Sequence, residues 1–402
     1  MELVVFFTSI YFKSQNDGED IMRKGFIIHV IALIGILACG VAIAAEPIKI
    51  GCLFDLSGPA GHIGTPSKYV AEMAVERINK EGGVNGSQIV LVYGDSESDA
   101  GKAALQAKRL IEKEKVAALI GPTRTESAMA ILNIVQKAGI PTVACVGGTP
   151  PVDPVRKWVF KSPQKTITAV EKIYIYLQKK DIKKIAIITA SDKFGEEGEK
   201  SLVKLSNKYG ITIVAAEKFD VKDSDMTVQL TKLKNTDAQA IICWTIGPPG
   251  SIVAKNVKQL DFKIPLIQCH GLPDPKYIEL AGAAAEGTMM PSTKLMVPDQ
   301  LPDTDPQKKL INEFVNEYEN VRKYGKVSTH SGYAWDAIML VVNGMRKAGS
   351  PDPEKVRTAI ENTKDFVSIS GIYNMSPEDH CGLGVDSMVM IEVKDKKWKL
   401  IE

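Results

Sequence analysis

Short runs of consecutive apolar residues alternate with stretches whose apolar positions recur every three or four residues, from residue 48 almost to the C-terminus. IKIGCLF (Ile48–Phe54) predicts a buried strand. In SKYVAEMAVERINKEGG, residues 67–83, Val70, Met73, Ala74, Val75 and Ile78 share one helical face, and two glycines end it. The same reading predicts strands at 88–95, 116–121 and 140–146, with helices at 100–114 and 127–139. After a looser stretch, 147–163, helices are predicted at 169–181, 195–210, 226–236 and 251–261. They alternate with strands at Lys184–Ala190, 211–219, 238–245 and 264–269. Near-continuous apolar strands between helices imply parallel sheets covered on both faces. Two such series, 47–146 and 169–269, predict an α/β chain with two doubly wound domains. The C-terminal hundred residues predict helices at 305–325, 331–349 and 352–362 and one final strand over 387–402.

The first 45 residues do not fit this pattern. Met22-Arg23-Lys24 forms a basic start, GFIIHVIALIGIL an apolar core, and VAIAAE a run of small residues with cleavage positions at Ala44 or Ala45. This is the layout of a secretion signal that begins at Met22, and export to the periplasm follows. Two other readings stay open. ILAC, ending at Cys39, resembles a lipoprotein box, and the stretch from Gly25 to about Ala45 is long enough to span a membrane. Beyond residue 45 the chain carries 47 Lys+Arg and 44 Asp+Glu, counted from the sequence. That balance, with no long basic block, gives no reason to expect a nucleic-acid partner. Five cysteines remain: Cys52, Cys145, Cys243, Cys269 and Cys381. An odd count leaves at least one unpaired, their spacing matches no zinc pattern, and three of them lie in strand-like runs as buried thiols would.

Ligands on doubly wound sheets sit at the carboxyl ends of strands. The loops there are DLSGPAGHIGTP, with Ser57 and Ile63, GPTRTES, VGGTPP, SDKFGEEG, TIGPPG and CHGLPDP. Thr123-Arg124-Thr125-Glu126 fits a capping box with Thr123 as N-cap and Glu126 three positions into the helix. A helix start of this kind offers free N–H groups to an anion.

The segments IKIGCLFDLSGPAGHIGTPSKYVAEMAVERINKEGGVNG, LVYGDSESD, LIGPTRTES, FKSPQKT, SDKFGEEG, AEGTMMPS and SGYAWDAI follow one another over residues 47–402. In this order they resemble the leucine/isoleucine/valine-binding protein family, the type I periplasmic solute-binding components of ABC importers. The resemblance implies two lobes joined by three crossings: 47–165 plus 294–372, and 166–293 plus 373–402. It implies that Thr125 holds a ligand carboxylate and that Val146, Gly147, Gly148 and Thr149 supply backbone donors. Gly148 stands where the family carries a second hydroxyl, with Thr149 one residue later. Phe194 aligns with an aromatic that packs on the ligand, and Ile63 and Ile246 fall where amino-acid binders often carry aromatics. At the position of the acidic residue that pairs with an amino acid's ammonium, this chain has His270. A neutral or cationic imidazole can donate to an oxygen, and Arg124 adds a second partner for an oxyanion. A carboxylate without an ammonium, with an aromatic or branched body, fits these exchanges better than an α-amino acid does. Tyr333 and Trp335 read as lobe core.

No nucleophile elbow, HExxH, P-loop or dinucleotide fingerprint is present. The expected function is capture of a small ligand and delivery to a membrane permease, by a monomer that is not an enzyme and has no cofactor or metal. A ligand-sensing receptor subunit and a secreted hydrolase are the alternatives.

Overall fold

The apolar runs form two sheets in the computed structural model, which describes residues 46–402. The expected leader, residues 1–45, lies outside the described residues. The first sheet has strand order β2-β1-β3-β4-β5 and is parallel throughout. Its strands are β1 (Ile48–Phe54), β2 (Ile89–Asp95), β3 (Ala118–Ile120), β4 (Thr142–Ala144) and β5 (Val159–Lys161). The second has order β14-β13-β10-β9-β8-β6-β7. It comprises β6 (Lys184–Ala190), β7 (Thr212–Phe219), β8 (Ala240–Trp244), β9 (Leu266–Gln268), β10 (Met289–Thr293), β13 (Met388–Lys394) and β14 (Lys397–Leu400). β13 and β14 run antiparallel at its edge. A two-stranded ribbon, β11 (Phe366–Val367) with β12 (Ile372–Tyr373), completes the strands.

Helices cover both faces: α1 (Gly61–Lys80), α2 (Ala100–Lys108) and α3 (Thr125–Ala138) in the first series, α4 (Thr166–Lys179), α5 (Lys193–Ser206), α6 (Thr227–Lys234), α7 (Pro248–Gln259) and α8 (Pro275–Ala281) in the second. Then come α9 (Lys308–Val315), α10 (Thr329–Ala348) and α11 (Pro353–Glu361). The fold is therefore the expected α/β type, two parallel-sheet lobes joined by three crossings.

Local chemistry explains the departures from the pattern. The single final strand is instead a hairpin, because Asp395 and Lys396 both take positive φ, 52° and 58°, as a two-residue type I′ turn requires. β5 is three residues long inside the looser stretch, too short to show a period. β10 contains Pro291, which lacks a ladder donor, and its pairing with β9 is confined to Met289. All five described cysteines are free and buried.

α10 is buried along most of its length and packs between α1 and α11 in the core of the first lobe. Tyr373, Met375, Cys381 and Leu383 share that core, whereas Met388–Val393 packs in the second. The third crossing thus follows Leu383, later than residue 373, where the resemblance puts it. The crossings are tied together by polar contacts. Gln164 Nε2 donates to Ser370 O at 2.7 Å and Ser387 Oγ at 3.1 Å, Lys165 pairs with Asp379 at 2.9 Å, and Tyr373 OH lies 2.6 Å from Ser162 O.

Asp336 on α10 anchors this region. Its buried carboxylate accepts from the N–H groups of Ile369 and Ser370 at 2.9 and 2.8 Å, from Tyr373 OH at 2.9 Å and from Ser368 Oγ. Asp336→Ala strands these donors and is expected to cost about 3 kcal/mol of stability. Urea unfolding checks this; a loss below about 1 kcal/mol would contradict the anchoring role.

Candidate ligand-binding site

The site is built where β3 and β4 of the first lobe end opposite β8 and β9 of the second. After β3 the chain turns at Gly121, φ 95°, where a Cβ would lie 2.1 Å from Leu53 O. Thr123 follows, but it does not cap α3. Its hydroxyl accepts from Asp55 N at 3.1 Å and donates to the Asp55 carboxylate, which also takes Ser96 Oγ at 2.7 Å. The expected capping box is absent. The N-cap is Arg124, with no side-chain cap. Glu126 lines the cleft instead, accepting from Lys193 N of α5 at 3.2 Å and pairing with Arg124 at 3.4 Å. The N–H groups of residues 125–127 consequently have no acceptor among the described residues.

The loop after β4 lies against this helix start. A Cβ on Gly148 would sit 2.6 Å from Thr125 Oγ1, so a hydroxyl-bearing side chain does not fit there. A Cβ on Gly147 would sit 2.8 Å from His270 Nε2 and 3.0 Å from Phe194. The Gly147 carbonyl accepts from Lys161 Nζ at 2.8 Å and Thr166 Oγ1 at 3.3 Å. Lys161 is fully buried, its ammonium also donating to Gln164 O at 2.9 Å. Burial pulls its pKa down to about 8, which leaves it mostly protonated at neutral pH.

From the second lobe come Phe194 near the start of α5, Ile246 after β8 and His270 after β9. Phe194, Trp244 and His270 form a tilted cluster with ring centroids 5.6–6.0 Å apart. Both ring nitrogens of His270 are buried without a partner. Burial, then the nearby charge of Lys161, pushes its pKa down to about 3, so the imidazole is neutral.

Of the sequence-derived candidates, Thr123, Arg124, Thr125, Gly147, Phe194, Ile246 and His270 line one cavity of about 20 Å³. Ser57 is outside it, exposed, with its hydroxyl on Asp95 at 2.6 Å. Ile63 is buried within α1. Val146 packs with Ala128 and Ala144. Gly148 is set against Thr125, and Thr149, whose buried hydroxyl has no partner, takes part in a turn through its carbonyl, which accepts Val152 N at 3.0 Å. The cavity also takes Glu126, Cys145, Asp192, Gly271, His330 and Tyr333, which the pattern did not single out as site residues. His330 and Tyr333 are one helical turn apart at the start of α10, a spacing that puts both on one face. The Tyr333 hydroxyl is buried without a partner. Among the described residues no cluster of three or more His, Cys, Asp or Glu side chains could hold a metal.

Two doubly wound lobes that meet over a small polar pocket with aromatic walls define a type I two-lobed binding protein. A family model described as periplasmic binding protein matches residues 47–397, and the chain belongs to that family. It is similar to the leucine-, isoleucine-, valine-, threonine- and alanine-binding protein of Pseudomonas aeruginosa, 25% identical over 323 residues, 79% of this chain and 83% of the relative. An extracellular ligand-binding receptor from Rhodopseudomonas palustris HaA2 is 28% identical with a TM-score of 0.82, covering 88% of this chain and 99% of that one. The Streptococcus pneumoniae branched-chain amino acid transporter substrate binding protein LivJ, solved with isoleucine, shares the fold at TM-score 0.76 and 23% identity over 88% of this chain and 99% of its own.

His330, like His270, is held to a pKa of about 3, first by burial and then by the charge of His62. As pH falls below 6.5, the ordinary value, the unfolded chain binds protons that these folded imidazoles refuse. Each therefore lowers stability by about 1.4 kcal/mol per pH unit on acidification. His330→Gln is expected to make stability, measured by urea unfolding between about pH 6.5 and 4.5, less steep by that amount. Equal slopes would contradict the assignment.

Proposed function

We propose that this chain is an exported solute-binding component of an ABC importer, which captures a small carboxylic acid between its lobes and delivers it to a membrane permease. The observation that carries this reading is the uncapped start of α3, whose first three N–H groups have no acceptor among the described residues, beside a cavity lined by Thr125 and a neutral His270. A carboxylate there would accept from the helix start and from the Val146–Thr149 loop, and it would gain from the helix dipole and from the Lys161 ammonium beneath Gly147. Phe194, Ile246 and Tyr333 would take the apolar body, and His270 would donate one N–H to a ligand oxygen. Arg124 would contribute its charge at the rim while holding Ser98 O at 2.8 Å.

The proposed lobes are those of the resemblance, 47–165 plus 294–372 and 166–293 plus 373–402, with residues 373–383 transferred to the first on the strength of their core packing. Closure is a population shift driven by contacts that only the closed form makes. No covalent step is involved, and ATP is hydrolysed by other components. Ser57, Ile63, Thr123, Gly148 and Thr149 then shape or support the cleft, with the ligand held by their neighbours.

An α-amino acid is the second reading. Asp192 lines the cavity, and only its Oδ1 is committed, to Gly195 N at 2.8 Å. Its other oxygen could meet an ammonium.

A thermal-shift panel on residues 46–402 separates the two, because a ligand that binds only the folded state raises the melting temperature. Shifts with aliphatic and aromatic carboxylates, and none with leucine, isoleucine, valine or phenylalanine, are expected. Shifts with amino acids alone would transfer the function to the second reading. His270→Ala is expected to weaken binding of the acid by about 1–3 kcal/mol, measured by calorimetry. An unchanged dissociation constant would remove His270 from recognition.

A further inference from the structure

The carboxylate pocket, about 20 Å³, adjoins a second chamber of about 240 Å³. Gly271 and His330 line both, so they form the boundary between them. The second chamber also lies between the lobes. His62 comes from the first, and Gly247, Leu272, Tyr277 and Leu280 come from the second. Its closure is specific: a Cβ on Gly247, whose φ is 73°, would lie 3.2 Å from the His62 ring. Thr329 N, next to His330, donates to Pro273 O at 3.3 Å across the same seam.

The two chambers differ in chemistry. The first offers unpartnered donors, and the second offers leucine side chains, proline faces and the Tyr277 ring. The Tyr277 hydroxyl is turned to Gln268, whose Nε2 donates to it at 3.3 Å. The polar groups on the second chamber are a carboxylate that caps α8, Asp274 accepting from Lys276 N at 2.7 Å, the Lys276 side chain, the Ser251 hydroxyl, which donates to Tyr277 O at 3.3 Å, and the His62 and His330 imidazoles. A space of 20 Å³ is about the size that holds one water. It accommodates a carboxyl group, whereas an apolar body needs the neighbouring volume. Gly271, with no side chain, and His330, a neutral imidazole set edge-on to Tyr333 at 6.1 Å, put no fixed charge at that boundary.

We propose that the ligand is an elongated carboxylic acid whose apolar body crosses the Gly271–His330 boundary into the second chamber. This rests on the carboxylate reading and narrows it, because it makes length a determinant of affinity. A branched-chain amino acid ends before the second chamber. An aryl-alkanoic acid with a few methylenes between ring and carboxylate fills both.

The test is a calorimetric series on residues 46–402 with benzoate, phenylacetate, 3-phenylpropanoate and 5-phenylpentanoate. The dissociation constant is expected to fall about fourfold per methylene that enters the chamber. Leu280→Trp, with its fold verified by circular dichroism, fills the chamber and is expected to abolish this gain. Measurable binding of the short acids with no gain on lengthening would overturn the extension and leave the carboxylate reading standing. A length gain that survives in Leu280→Trp would do the same. Absence of binding by every acid in the series would overturn both.

Discussion

The cleft depends on one unsatisfied element of backbone, the first turn of α3. A helix start ordinarily finds its own cap, and TRTE contains the residues for one. Here Thr123 is spent on Asp55, and Glu126 reaches across to the first N–H of α5. The N–H groups of residues 125–127 are left without an acceptor among the described residues. The glycines nearby follow from this arrangement. Gly121 lets the chain pass beside Leu53, and Gly148 lets the β4 loop lie on Thr125, bringing two sets of backbone donors to one point. Lys161 holds the far side of that loop through the Gly147 carbonyl.

Contacts between the lobes are few and mostly polar or edge-on. Lys193 N meets Glu126, Thr329 N meets Pro273 O, His270 and Phe194 abut Gly147, and His62 covers Gly247. Polar contacts of this kind are compatible with relative motion of the lobes. The three crossings are held differently. Gln164, Lys165, Tyr373 and Asp336 make a buried or half-buried network around them.

The alternation of strands and helices was legible because parallel strands buried on both faces read as uninterrupted apolar runs. It failed where an element was short or its ladder was broken. β5 has three residues, and β10 contains Pro291. The final hairpin was hidden because Asp395 and Lys396 are unusual occupants of a type I′ turn. Seven site candidates gather around one cavity because strand ends converge at the switch point whatever the side chains are. Thr149 and Ser57 do not join them. The hydroxyl of Ser57 is claimed by Asp95, and Thr149 belongs to a turn, which are tertiary facts that spacing does not encode. His330 was invisible for the opposite reason. It comes from α10, which begins 191 positions after the end of α3 in the chain, and only packing brings it to the pocket.

The most direct test of the α3 helix start as a carboxylate site compares one acid with its own primary amide. The tightest-binding acid of the panel and the corresponding amide have nearly the same shape and differ in charge. Hydrogen bonds to a charged acceptor are worth about 1.5–3 kcal/mol each, against about 1 for a neutral one. Calorimetry on residues 46–402 at pH 7 is expected to show the amide binding at least about tenfold more weakly than the acid. An amide that binds as tightly as its acid would contradict the account, because the uncapped turn of α3 would then be recognising shape without regard to charge.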